Sequence, residues 1–143
     1  MSYPKFLVAM QFSIIFILVF FSKGFLSSFI YPLIFFFGVG VGLWAIKHNK
    51  RDNFNIVPQM KEGAKLITTG PYRYIRHPMY FSVIVMMLPF VLSTNTITFW
   101  FLFFTLIFVL YLKAIREERL WQECSDEYCK YKAKTKAIIP FIL

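Results

Sequence analysis

At 143 residues, 58% of them hydrophobic and 19 of them Phe, with a mean hydropathy of +0.59, the chain is too short to hide its apolar side chains in a soluble core. A soluble domain of this size buries only about two thirds of its surface. The net charge of +9 would suit nucleic acid on a soluble domain, but its distribution argues otherwise: seven Lys and Arg lie between Lys47 and Arg76, seven more between Lys113 and Lys136, and only Lys5 and Lys23 fall elsewhere. That clustering is a membrane-topology signal, so no nucleic-acid partner is expected, and the expected class is an all-α integral membrane protein.

Four apolar blocks are expected to cross the membrane as helices, at about 20 residues each. They run over residues 6–21, 29–46, 78–92 and 97–112, and none contains Asp, Glu, Lys, Arg or His. The most polar side chain of the first is Gln11. Gly38 and Gly42 in the second have the small-xxx-small spacing of closely packed helices. The third is short and contains Pro89, a potential kink. Ser93-Thr94-Asn95-Thr96 is a tight polar turn, which makes spans three and four a hairpin. The whole chain, residues 1–143, reads as one membrane domain.

An even number of spans puts both termini on one side. The positive-inside rule assigns the loop 47–77 and the tail 113–143 to the cytosol, and the expected location is the cell membrane, multi-pass. Cys124 and Cys129 in that tail are expected to be free thiols; without His partners at ligand spacing they make no metal site.

Chemistry must then come from two polar segments at the cytosolic end. Gly70-Pro71 reads as a turn, and Pro78 suits the first position of a helix, where a missing N–H costs nothing. His77 falls at the N-cap, with Arg73 and Arg76 on the approach. Such a helix start favours an anionic group. In the second segment, Lys113 to Leu120, the helix is expected to continue past Leu112 and to present Glu117 about 8 Å beyond the apolar end. Taken alone, adjacent Glu117 and Glu118 read as a solvated helix face on which they pair with Lys113, Arg116 or Arg119. Because the hairpin returns the chain, His77 and Glu117 flank one end of the same helical pair. A positive helix start facing two carboxylates complements a zwitterion with additional positive charge, a description that S-adenosylmethionine meets.

At these residues the chain resembles the isoprenylcysteine carboxyl methyltransferase family and the related membrane phospholipid methyltransferases. The resemblance rests on Leu66-Ile67-Thr68-Thr69-Gly70-Pro71-Tyr72, then Arg76-His77-Pro78-Met79-Tyr80, then Glu117-Glu118, with Tyr128, Tyr131 and a terminal Ile139-Pro140. It spans residues 30–143 and implies a helical fold whose cytosolic loop and C-terminal amphipathic helix enclose S-adenosylmethionine. By that resemblance, Ala64, Lys65, Leu66, Ile67, Tyr72, His77, Pro78, Met79, Tyr80 and Glu117 line the cofactor pocket. Lys113 stands where relatives that methylate prenylated C-termini carry a substrate-binding arginine, so Lys113 and Arg76 are the candidates for acceptor binding, with Arg116 and Glu118 for catalysis. Cys124-Ser125 replaces the usual Phe-Gly, and the four spans are fewer than many relatives have, which is compatible with a homo-oligomer.

The function so implied is methyl transfer from S-adenosylmethionine to a lipophilic small molecule or lipid, through its carboxylate, amine or thiol, at the cytosolic interface. Two other classes remain open, a four-span transporter and a non-catalytic membrane adaptor. Transporters usually carry an ionisable residue within the membrane, and the four spans have none.

Overall fold

The computed structural model describes residues 2–53, 66–124 and 126–139. All five longer elements are α-helices: α1 (Tyr3–Phe20), α2 (Ile30–Asn53), α3 (Pro78–Thr94), α4 (Ile97–Cys124) and α5 (Asp126–Lys134). A one-turn 3-10 helix, Gly70–Arg73, precedes α3. Helices are what a bilayer demands, because each satisfies its own backbone polar groups. By length and composition α1, α2 and α4 can cross a membrane. With 17 residues, α3 is about 26 Å long, as short as its apolar block suggested. Pro89 does not interrupt it: α3 is continuous and Pro89 is buried. Three helices outrun their apolar blocks, α1 starting at Tyr3, α2 running to Asn53 and α4 to Cys124, since charged residues extend a helix once it leaves the hydrocarbon.

α2 packs along α3, α4 packs against α1 and α3, and α1 also touches α3. The α2–α3 contact is close because Gly38 and Gly42 face α3. A Cβ on Gly38 would stand 2.8 Å from Met86 Cγ and 2.9 Å from its backbone nitrogen, and one on Gly42 would stand 3.1 Å from Ser82 Oγ. These two glycines therefore serve helix approach. The core gathers Leu7, Ile14 and Leu18 of α1, Met87, Phe90 and Val91 of α3, and Leu106, Val109 and Leu110 of α4. Phe16, Phe20, Leu33, Phe36, Phe37, Phe101 and Phe104 point outward, as the lipid-facing surface of a membrane bundle requires.

One end of the bundle is closed by the α3–α4 turn. Asn95 takes a left-handed conformation (φ 43°) at the C-cap of α3, a role that suits its short polar side chain. Thr96 Oγ1 then accepts from Phe99 N at 3.4 Å, and Trp100 Nε1 donates to Asn95 Oδ1 at 3.1 Å. The α1–α2 loop meets this turn where Lys23 N donates to Thr94 Oγ1 at 2.9 Å. The polar segments all lie at the opposite end, which positions the site.

Candidate functional site

The chain enters α3 through a cradle made by its own tail. Ile75 and Lys136 form a parallel bridge; Arg76 N donates to Lys136 O at 2.8 Å and His77 N to Ala137 O at 2.9 Å. Tyr131 Oη donates to the Tyr72 carbonyl at 2.5 Å, and Tyr128 stacks on Trp121 at the end of α4. Gly70 has φ +60° and lies against the His48 ring of α2, where a Cβ would come within 2.5 Å. Glycine is the residue that fits both demands. Pro78 is the first residue of α3 and His77 its N-cap, as the sequence implied.

The two adjacent glutamates have different surroundings. Glu118 is enclosed: Oε1 is 2.8 Å from Arg76 Nε and 3.3 Å from His77 Nε2, while Oε2 is 2.8 Å from Lys132 Nζ. Its side chain is 8% exposed. Arg76 is equally committed, since its Nη1 also donates to the carbonyls of Lys132 and Thr135. Glu117 accepts from Tyr80 Oη at 2.5 Å, lies 3.4 Å from His77 Nδ1, and keeps 24% of its side chain exposed. The expectation of glutamates paired with Lys113, Arg116 or Arg119 is thereby corrected: their ion-pair partners are Arg76, His77 and Lys132. The reason is tertiary: the α3 entrance brings Arg76 and His77 to this part of α4 and the returning tail brings Lys132, contacts that spacing along α4 does not encode.

His77 bridges the pair, and its ring stacks on Tyr80 with centroids 5.3 Å apart. Burial pushes its imidazolium downward, but hydrogen bonds and charge from Glu117 and Glu118 outweigh burial and leave His77 above its ordinary value. Burial raises Tyr72, with Tyr131 and Glu117 adding to the effect. Tyr131 is pushed up to about 12, chiefly by burial. These phenols are neutral hydrogen-bond donors at physiological pH.

Lys113 also lies over the Tyr80 ring: it is 2% exposed, its Nζ 5.0 Å from the ring centroid and 2.6 Å from Gln11 Oε1 of α1. Although Lys113 follows the apolar block, its ammonium extends back alongside the middle of the first span, a placement that block boundaries alone do not reveal. Arg116 carries a buried Nε without a hydrogen-bond partner among the described residues.

Of the sequence-derived candidates, Arg76, His77, Tyr80, Lys113, Glu117 and Glu118 come together, and Tyr72 lies beside them. Pro78 is buried, and Met79 turns toward α2, its Sδ 4.0 Å from Asn49 Nδ2. Leu66 and Ile67 are half-buried ahead of the 3-10 turn. Ala64 and Lys65 lie outside the described residues, as does Pro140. Sequence reasoning missed Lys132, Thr135, His48 and the Gln11–Lys113 link. Only Gln11 carried a signal, as an amide inside an otherwise apolar helix.

Among the described residues no group of His, Cys, Asp and Glu could hold a metal ion. The donor set instead suits S-adenosylmethionine. Glu117 offers a carboxylate whose side chain is 24% exposed for a cation, the buried Arg116 Nε has no hydrogen-bond partner among the described residues, and Tyr72 and Tyr80 supply aromatic surface. The family model described as isoprenylcysteine carboxyl methyltransferase (ICMT) family matches residues 30–122. No curated protein matches the chain.

Proposed function

Since the chain belongs to the isoprenylcysteine carboxyl methyltransferase family, and so is an integral membrane methyltransferase, we propose that it transfers a methyl group from S-adenosylmethionine to a lipophilic acceptor at the cytosolic membrane face. The observation that carries this reading is the continuous polar run Lys113–Tyr80–Glu117–His77–Glu118, which crosses from the buried bundle to the polar end. Both termini, the loop and the tail then face the cytosol.

S-adenosylmethionine, held by Glu117 and Arg116, would supply an already activated methyl group for direct transfer to the acceptor. The chain's residues therefore need chiefly to align and enclose. Holding two reactants in line is worth about 7–11 kcal/mol. Glu117 is the group that would meet the cofactor's positive charge, oriented by Tyr80 Oη and the His77 ring. Arg116 would meet its carboxylate. Glu118, Arg76 and Lys132 act as positioning residues, because their contacts lock the α3 entrance and the tail around His77. Burial of Tyr80 and Lys113 keeps water away, which strengthens every charge interaction inside. The acceptor reaches the Tyr80–Lys113 side from the bilayer.

The test is calorimetric titration of the detergent-purified protein with S-adenosylmethionine. Wild type is expected to bind saturably, and Glu117→Ala to lose binding while remaining folded. A folded wild type that does not bind would refute the reading.

A further inference from the structure

The tail has two unlike sides. Tyr128, Tyr131, Lys132 and Thr135 are committed to Trp121, the Tyr72 carbonyl, Glu118 and Arg76. Lys130, Lys134 and Lys136 are exposed, and among the described residues none of them is in an ion pair. Lys130 and Lys134 are four residues apart in α5 and so share one side of it. The Ile75–Lys136 bridge sets Lys136 beside the approach to α3. There Arg73 is exposed, again without an ion pair among the described residues, and Tyr74 is 59% exposed. Asp126 and Glu127 occupy the first turn of α5, and no acidic residue follows them. The result is a basic patch with an aromatic at its edge, built from two segments that only the bridge brings together.

The depth of this patch is set by α3. His77 N donates to Ala137 O, and the apolar span begins at the next residue, Pro78. At about 26 Å for its 17 residues, α3 is shorter than a hydrocarbon core of roughly 30 Å. Its start therefore cannot stand clear of the membrane surface. The tail bound to that start lies within the range, about 10 Å, over which surface charge acts. Long lysine stems extend that reach, and an exposed tyrosine suits the same interface.

We propose that Arg73, Lys130, Lys134 and Lys136 bind the anionic phospholipid headgroups of the adjoining leaflet, and that lipid charge thereby clasps the tail over His77 and Glu118. A free phosphate would meet these exposed cations singly, whereas a charged surface meets all of them at once. Holding the outer side of α5 on the membrane keeps its inner side on Tyr72, Arg76 and Glu118. Neither a cofactor nor methyl transfer is needed for this contact.

The amides of Arg76 and His77 report the clasp directly, because they donate to the Lys136 and Ala137 carbonyls of the tail. Their hydrogen exchange is to be followed in the full chain, in nanodiscs of phosphatidylcholine alone or of equal parts phosphatidylcholine and phosphatidylglycerol. At low salt both amides should exchange about tenfold more slowly in the anionic discs, and high salt should erase the difference. Lys130→Gln combined with Lys134→Gln and Lys136→Gln should abolish the lipid effect while leaving the unfolding midpoint in detergent unchanged. Lys5→Gln combined with Lys47→Gln, at two exposed lysines outside the patch, should preserve it. Equal exchange of wild type in the two discs would overturn the proposal, as would a lipid effect that survives the tail substitutions. Loss of the effect in the Lys5 and Lys47 variant would assign it to net charge and overturn the tail site. Protection by inorganic phosphate in neutral discs would mean a site for a single anion, and the lipid surface would be abandoned.

Discussion

Arg76 Nε donates to Glu118 Oε1 across 2.8 Å although 42 residues separate them. That bond joins the α3 entrance to the far end of α4, and the tail closes over it through Lys132 Nζ and the Thr135 carbonyl. The consequence is a division of labour between neighbouring glutamates, one enclosed and the other partly open.

We therefore expect Glu118→Ala and Glu117→Ala to fail differently. Removing Glu118 strands Arg76, His77 and Lys132 near one another in a largely buried setting, and breaking such a network by deleting one partner costs about 3–5 kcal/mol. Thermal unfolding in detergent should show the large loss for Glu118→Ala. Glu117→Ala should keep most stability and lose S-adenosylmethionine binding by calorimetry. The reverse pattern would sink the assignment.

His77 sets a pH dependence. Because the flanking carboxylates raise its folded pKa above the ordinary value near 6.5, its contribution to stability is fully present below about pH 6.5 and is lost as pH rises through the folded pKa. The stability difference between wild type and His77→Gln should therefore shrink as pH increases. A difference that stays flat or grows with pH would contradict the ion-paired imidazolium.

Tyr131 fastens the tail through one hydrogen bond, from its hydroxyl to the Tyr72 carbonyl. Tyr131→Phe leaves that carbonyl without its donor while keeping the ring, a change worth about 1–3 kcal/mol. Faster hydrogen exchange at 128–137 and around Tyr72, with α1 and the α3–α4 turn unchanged, is the expected result. Unaltered exchange in the tail would show that the bond is dispensable.

The glycines of α2 supply an internal control. Gly38→Ala drives a methyl into Met86 and its backbone, so α2 and α3 must separate, at about 1–3 kcal/mol. At Gly40 no atom lies within 4 Å of the new Cβ, and Gly40→Ala should be neutral or gain up to about 1 kcal/mol from helix propensity. Equal effects of the two on the unfolding midpoint would mean that the close approach at Gly38 is not limiting.

Much of this was legible in the amino-acid order. Apolar blocks of near-membrane length must become helices, because a bilayer leaves the backbone no other partners. Asn95 between two such blocks makes a hairpin, and the hairpin alone brings His77 to Glu117 and Glu118. Pro78 after His77 marks the start of α3. What the order of residues left undecided was which glutamate is enclosed. Adjacent helical side chains diverge by about 100°, and their neighbours depend on where the tail returns: Lys132, Thr135 and Tyr131 reach the site from 59 residues or so beyond Tyr72 and Arg76. The same holds for Lys113. Its position after an apolar block reads as a cytosolic, solvated cation, and only the packing of α1 on α4 sets its ammonium against Gln11. Local pattern determined the helices and their turn, since each is stabilised within its own segment; the pairing of the charges was decided by contacts between segments, which sequence spacing does not encode.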